Sequence, residues 1–237
     1  MTPDPMSSSR PAASDLPVRI PLVGRAVEGI GTSLVAGALL GGSSWLSDQL
    51  EWPYSLLVPT NLIGVWLGVA FALGASARTL PTGALRGLIG LLAAIGTYYL
   101  LFALTDSGIR STGAGHAAAV WGLVALVAGP VLGGAGAAWR HGTGWLRATG
   151  VALLAAGLLA EGIAFGLGRL ARLDQLAVDP GALLLGIEIL LGALLPLLLL
   201  RGRDRIRGYA VTGALGAIAV LAIGPVTAAL RAVADRF

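Results

Sequence analysis

Two carboxylates are the residues best placed to do chemistry. Glu161 lies in "GVALLAAGLLAEGIAFGLG" and Glu188 in "GALLLGIEILLGALLPLLLL", two otherwise apolar runs in a 237-residue chain. A charge in the middle of a bilayer-spanning helix costs about 2.5–3.5 kcal/mol on insertion scales. Such a residue is turned toward a protein interior, a water-filled cavity or a partner. Two carboxyls held close together in low dielectric do not both ionise, so one proton near pH 7 is shared by the pair. Glu161 and Glu188 are therefore candidates for holding and releasing a proton beside a solute.

The elements that carry them are membrane helices. The chain is 56% hydrophobic and 12% charged, with a mean hydropathy of +0.83. A soluble domain carries about twice that share of charge. Backbone groups in hydrocarbon are satisfied only by helices or closed barrels, and these apolar runs lack the alternation of barrel strands. The expected fold is all-α, a polytopic bundle. We place seven spans: Glu28 to Leu46, Leu56 to Ala77, Ala84 to Leu104, Ala117 to Trp139, Leu146 to Gly168, Ala182 to Leu200 and Arg207 to Leu230. Pro59 falls in the first turn of the second, and Pro130, Pro196 and Pro225 lie inside the fourth, sixth and seventh. Residues 1–25, rich in Pro, Ser and Ala, read as a disordered cytoplasmic tail, and residues 26–237 as one transmembrane domain.

The pI near 10.3 comes from sixteen arginines with no lysine. They flank the apolar runs, which is an orientation signal rather than a nucleic-acid footprint. With a cytoplasmic N-terminus, eleven arginines lie inside and five outside. This predicts a membrane protein with its N-terminus inside and its C-terminus outside. Arg201, Arg203, Arg205 and Arg207, after the sixth span, read as a lipid-headgroup anchor.

Counting 1.5 Å per residue along each span puts Glu161 and Glu188 roughly 10 Å below the outer surface. Asn61 and either Tyr98 or Tyr99 fall at a similar depth, and Trp121 a little higher. Together they form a candidate polar cavity. Two readings of this layer stand side by side. In one, it binds a solute or proton. In the other, Glu161 caps or braces a neighbouring helix, while Asn and Tyr are interhelical hydrogen-bond glue worth about 1 kcal/mol each.

Glycines recur at four-residue spacing: Gly37/Gly41, Gly64/Gly68, Gly83/Gly87, Gly129/Gly133 and Gly162/Gly166. This spacing lets helix backbones approach closely. "LVAGALLGG" (34–42) is echoed by "LVAGPVLGG" (126–134), "GVAFALGASAR" (68–78) by "GIAFGLGRLAR" (162–172), and "PTGAL" (81–85) by "DPGAL" (179–183). The near-constant offsets suggest that spans one to three repeat as four to six, inverted in the membrane as in many secondary transporters.

Other chemistries are missing. There is no cysteine, Walker loop, HExxH or Gly-x-Ser-x-Gly. His116 and His141 have no second ligand nearby in sequence, so neither a metal nor a cofactor is expected, and no enzyme activity. "RSTGAGH" (110–116) reads as a flexible connector, and Asp106 with Arg110 as a weak surface pair.

"NLIGVWLGVAFALGA" from Asn61, "GTYYLLF" around Tyr98 and Tyr99, "WGLVALVAGPVLGGAGAAWR" from Trp121 and "LLAEGIAFGL" around Glu161 resemble an uncharacterised multi-pass membrane family of high-GC Gram-positive bacteria, defined only as a domain of unknown function. The resemblance covers most of the chain after the tail. It implies a bacterial cytoplasmic-membrane protein and brings no substrate, cofactor or mechanism. The positions that match it are Asn61, Trp66, Tyr98, Tyr99, Trp121, Gly129, Pro130, Arg140 and Glu161.

The sequence thus leads to a small-solute or proton-coupled carrier built on Glu161 and Glu188. Its alternative is a non-catalytic scaffold or accessory subunit that packs through its glycine faces against another membrane protein. The expected partners are the lipid bilayer, a small solute or proton, or such a protein, and not nucleic acid.

Overall fold

A computed structural model describes residues 22–50, 58–105, 111–170 and 180–234. The expected tail up to residue 21 and the Asp106–Arg110 pair lie outside the described residues. Among the described residues the fold is all-helical, with seven α-helices and no strand: α1 (Leu22–Gln49), α2 (Ile63–Ala75), α3 (Leu80–Thr105), α4 (Ser111–His141), α5 (Gly144–Leu170), α6 (Pro180–Leu199) and α7 (Arg203–Ala234). Four of them contain stretches long and apolar enough to cross a membrane: Leu80–Thr105, Ala114–His141, Gly144–Ala164 and Arg203–Ala222.

The second expected span is corrected. Instead of one helix from Leu56 to Ala77, a 3-10 turn covers Val58–Asn61 and α2 spans only 13 residues. That is about 20 Å of helix against a hydrocarbon core of about 30 Å. Pro59 belongs to the 3-10 turn, and Leu62 adopts an extended conformation (φ −77°, ψ 135°) that separates the two helical pieces. The helix ends also differ. α1 starts at Leu22, inside the segment expected as tail, and α7 extends beyond Arg207 to Arg203 at one end and beyond Leu230 to Ala234 at the other.

Small residues decide how the helices meet. An added Cβ at Gly41 would run into the Ala94 backbone, and one at Gly37 into the Gly90 carbonyl, so α1 lies directly on α3. On the other side of α3, Gly87 faces Gly129 and Gly133 of α4, again backbone to backbone. α5 takes α6 the same way, through Gly162 against Leu185 and Gly192 against Ala155. At such approaches a methyl group has nowhere to go, and close packing of backbones supplies the cohesion that hydrophobicity cannot in lipid. Phe71, Leu91, Leu132, Leu154 and Leu158 fill the space between α2, α3, α4 and α5. Gly144 (φ 56°) and Gly202 (φ 53°) provide the left-handed turns into α5 and α7.

α1 packs along α3, whereas α4 and α6, their counterparts in the expected repeat, barely touch among the described residues. The two sets of three helices are thus packed differently.

Candidate functional site

The start of α2 is where the buried acids converge. The first amides of a helix have no intrahelical acceptor, and Leu62 at the N-cap offers no side-chain oxygen. Glu161, from α5, replaces the missing cap. Its Oε1 accepts the Ile63 N–H at 2.8 Å and its Oε2 the Gly64 N–H at 2.5 Å. A negative group is also favoured there by the helix dipole. Without it, two amides would sit unpaired within a bundle that has little water to offer.

Glu188, from α6, faces Glu161 across this junction and lies against Gly64. Glu161 is 8% exposed and Glu188 4%, so both acids are turned inward rather than toward lipid. They are not equivalent. Glu161 has its two backbone donors, whereas neither oxygen of Glu188 has a hydrogen-bonded N–H or O–H partner among the described residues. A Cβ at position 64 would collide with Glu188 Oε1 and Leu158 Cδ2, so only glycine lets the acid reach this place.

The other predicted residues gather in a separate cavity of about 320 Å³ between α1, α3, α4 and the beginning of α2. Asn61, Tyr98, Tyr99 and Trp121 line it, as do Asp48 and Trp66; Glu161 and Glu188 do not. The expected single layer is therefore two sites, joined by two consecutive residues. Ile63 lines the cavity, and Gly64, beside it, touches Glu188.

Asp48 is the polar anchor of the cavity, and sequence reasoning missed it. Its Oδ1 accepts the Asn61 side-chain N–H at 2.6 Å, and its Oδ2 the Tyr98 hydroxyl at 2.5 Å. The end of α1, the 3-10 turn that follows it and the distant α3 thus meet at one carboxylate. Among the described residues, no arginine or histidine is paired with Asp48. Nearby, the Thr60 carbonyl accepts both the Ser44 hydroxyl (2.8 Å) and the Trp66 indole N–H (2.7 Å), fixing the turn before α2 and the Trp66 ring. The only signal in the sequence was an acid directly at the end of the first apolar run, where a charge normally means only that the span is over.

The four arginines expected as a headgroup anchor separate into two kinds. Arg205 caps the end of α6 through the Leu197 and Leu200 carbonyls, and Arg207 pairs with Asp204 at 3.1 Å and lies over the Trp145 ring. Arg201 and Arg203 are exposed. His141 makes a 2.8 Å hydrogen bond with the Ala77 carbonyl, tying α4 to the end of α2. Among the described residues there is no group of three metal-ligating side chains.

Comparison with known proteins gives one match. A family of unknown function, DUF6518, matches residues 21–232. The chain belongs to the DUF6518 family. That span takes in every described helix up to the last turn of α7, so the Glu161 cap, Glu188 and the Asp48 cavity all lie within the DUF6518 region. No curated protein and no solved structure matches this DUF6518 chain.

Proposed function

We propose that this protein is a proton-coupled carrier of a small solute in a bacterial cytoplasmic membrane. In this reading all seven helices are embedded, α2 as a short helix that begins within the bundle. The N-terminus is cytoplasmic, and the cavity opens on the outer side. The observation that carries the proposal is Glu188: a carboxylate buried with no hydrogen-bond donor among the described residues, facing a second carboxylate, one residue from a cavity wall. A group kept at that cost has a use beyond packing. A proton placed between Glu188 and Glu161 turns a repulsion into a hydrogen bond. Its loss adds a second negative charge where Glu161 holds the start of α2, which places Ile63 on the cavity wall and is joined through Leu62 to the 3-10 turn that places Asn61 there. Solute occupancy and protonation would be linked through that short piece of backbone.

The scaffold alternative needs glycine faces free for a partner. Most of the paired glycines are occupied inside the chain, where Gly37, Gly41, Gly83, Gly87, Gly129, Gly133 and Gly162 all meet neighbouring helices. The carrier reading does not depend on an inverted repeat.

Proteoliposomes with an imposed pH gradient and an internal pH dye test the proposal. They are challenged in turn with a quaternary ammonium, a neutral amino acid, a sugar and a carboxylate. At least one class is expected to dissipate the gradient in the wild type and to fail in Glu188→Gln. If no class moves protons in the wild type, or Glu188→Gln moves them equally, the carrier proposal is wrong.

A further inference from the structure

We infer that the cavity beside Asp48 takes a small organic cation, an alkylammonium or quaternary ammonium with an apolar body. The inference rests on the reading of this cavity as the solute site and names the class of solute.

The first argument is an inventory of donors and acceptors. Tyr98 donates its hydroxyl proton to Asp48, and Asn61 gives the same carboxylate an N–H. Ser44 and Trp66 have turned their donors to the Thr60 carbonyl. Ser44, Tyr98 and Trp66 have used their protons on the protein itself, whereas Asn61 keeps a second N–H and Tyr99 and Trp121 bring a hydroxyl and an indole N–H to the wall. The one formal charge in the lining is the carboxylate of Asp48, and among the described residues no basic side chain lines the cavity. An anion would meet a like charge there, and a neutral solute would leave that charge without a counter-ion. A cation offsets it.

Aromatic rings supply the second argument. Tyr98 and Tyr99 meet edge to face, with centroids 5.0 Å apart and planes at 77°, so the two ring faces form a corner beside Asp48. Trp66 from α2 and Trp121 from α4 contribute two further rings to the same wall. Ring faces attract a weakly hydrated cation, and cages of several aromatics are a recurrent way to hold quaternary ammonium groups. The rest of the lining is apolar, including Leu91, Ile95 and Val124. At about 320 Å³ the cavity lies at the small end of the range for small-molecule pockets. Asp48 and Asn61 are exposed, so a ligand can reach the carboxylate from outside the bundle.

The test uses the full-length protein in lipid nanodiscs, with choline and its uncharged isostere 3,3-dimethyl-1-butanol as probes. The two differ by a nitrogen cation in place of a carbon, so shape is held constant. Calorimetric titration is expected to show choline binding at least tenfold more tightly than the alcohol. Asp48→Asn should remove that preference, and Trp121→Leu, at a partly exposed ring that leaves the Asp48 contacts intact, should weaken choline severalfold. Equal binding of both probes, or a cation preference that survives Asp48→Asn, overturns the cation inference while leaving a small-solute cavity. Binding of only a sugar, an amino acid or a carboxylate from the flux panel does the same. A folded, monodisperse wild type that binds none of these removes both the cation inference and the solute-site reading beneath it.

Discussion

Glu161 and Gly64 are 97 residues apart in the chain, yet the Glu161 carboxylate accepts the Gly64 amide proton at 2.5 Å and that of Ile63 on its other oxygen. The acid on α5 thereby acts as the N-cap of α2. Its neighbour Glu188 shares the burial but not the hydrogen bonds. This asymmetry separates an acid that caps a helix from one that does not, and it can be tested.

Glu161→Gln replaces an acceptor of two amides by one acceptor and one donor. The donor then faces a helix N–H, and the lost, partly buried hydrogen bond costs about 1–3 kcal/mol. Glu188→Gln fixes a neutral side chain there whose N–H can face Glu161 as the shared proton does, and the expected effect on stability is nil or favourable. Thermal unfolding of both variants in the same detergent should show a lowered midpoint for Glu161→Gln and an unchanged or raised one for Glu188→Gln. Equal losses would contradict the division of roles.

Gly64 is the hinge of the same arrangement. Gly64→Ala places a methyl group against Glu188 Oε1 and Leu158 Cδ2. Overpacking of this kind costs typically about 1–3 kcal/mol. Glu188 and Leu158 share the clash, so the double variant Gly64→Ala with Glu188→Ala should recover Glu188's share of the loss and leave that of Leu158. Strictly additive destabilisation in that double variant would mean that Gly64 and Glu188 are not in contact.

The helix packing can be checked covalently, because the chain has no cysteine of its own. A Cβ at Gly37 would lie 2.8 Å from Cβ of Ala93. Moving the backbones apart by about 1 Å, which the Gly90 carbonyl also requires, brings Gly37→Cys and Ala93→Cys to disulfide geometry at some cost in helix packing. Mild oxidation in membranes should cross-link this pair. Gly31→Cys with Ala93→Cys is the control, since Gly31 faces open space, and it should stay reduced.

Much of this was legible in the sequence, and the failures have physical causes. Lone acids in long apolar runs marked Glu161 and Glu188 as inward-facing, because lipid does not tolerate them. Gly37, Gly41, Gly87 and Gly129 gave away the close helix contacts. The break before α2 had one signal, Pro59, which fits the first turn of a longer span equally well. "NLIGVWLG" contains no proline, and Gly64 alone does not end an apolar helix. What starts α2 is a carboxylate from another helix, and hydrophobic periodicity carries no trace of a cap supplied from 97 residues away. Asp48 was passed over for a related reason. Its partner Tyr98 is 50 residues away, Asn61 falls in the interior of the next expected span, and an acid at the end of an apolar run is ordinary. The repeated "LVAGxxLGG" segments were a weaker guide, since a Gly, Ala and Leu alphabet allows similar strings in helices that pack differently.

The link between the cavity and the acid pair is tested most directly by counting protons on binding. Full-length protein in nanodiscs, in a weakly buffered solution with a pH indicator, is titrated with whichever solute moves protons in the liposome panel, choline being the expected class. The wild type should release or take up a measurable fraction of a proton per solute bound, and Glu188→Gln should bind with no proton change. Binding in the wild type without any proton change, or an identical change in Glu188→Gln, would show that the cavity and Glu188 do not communicate.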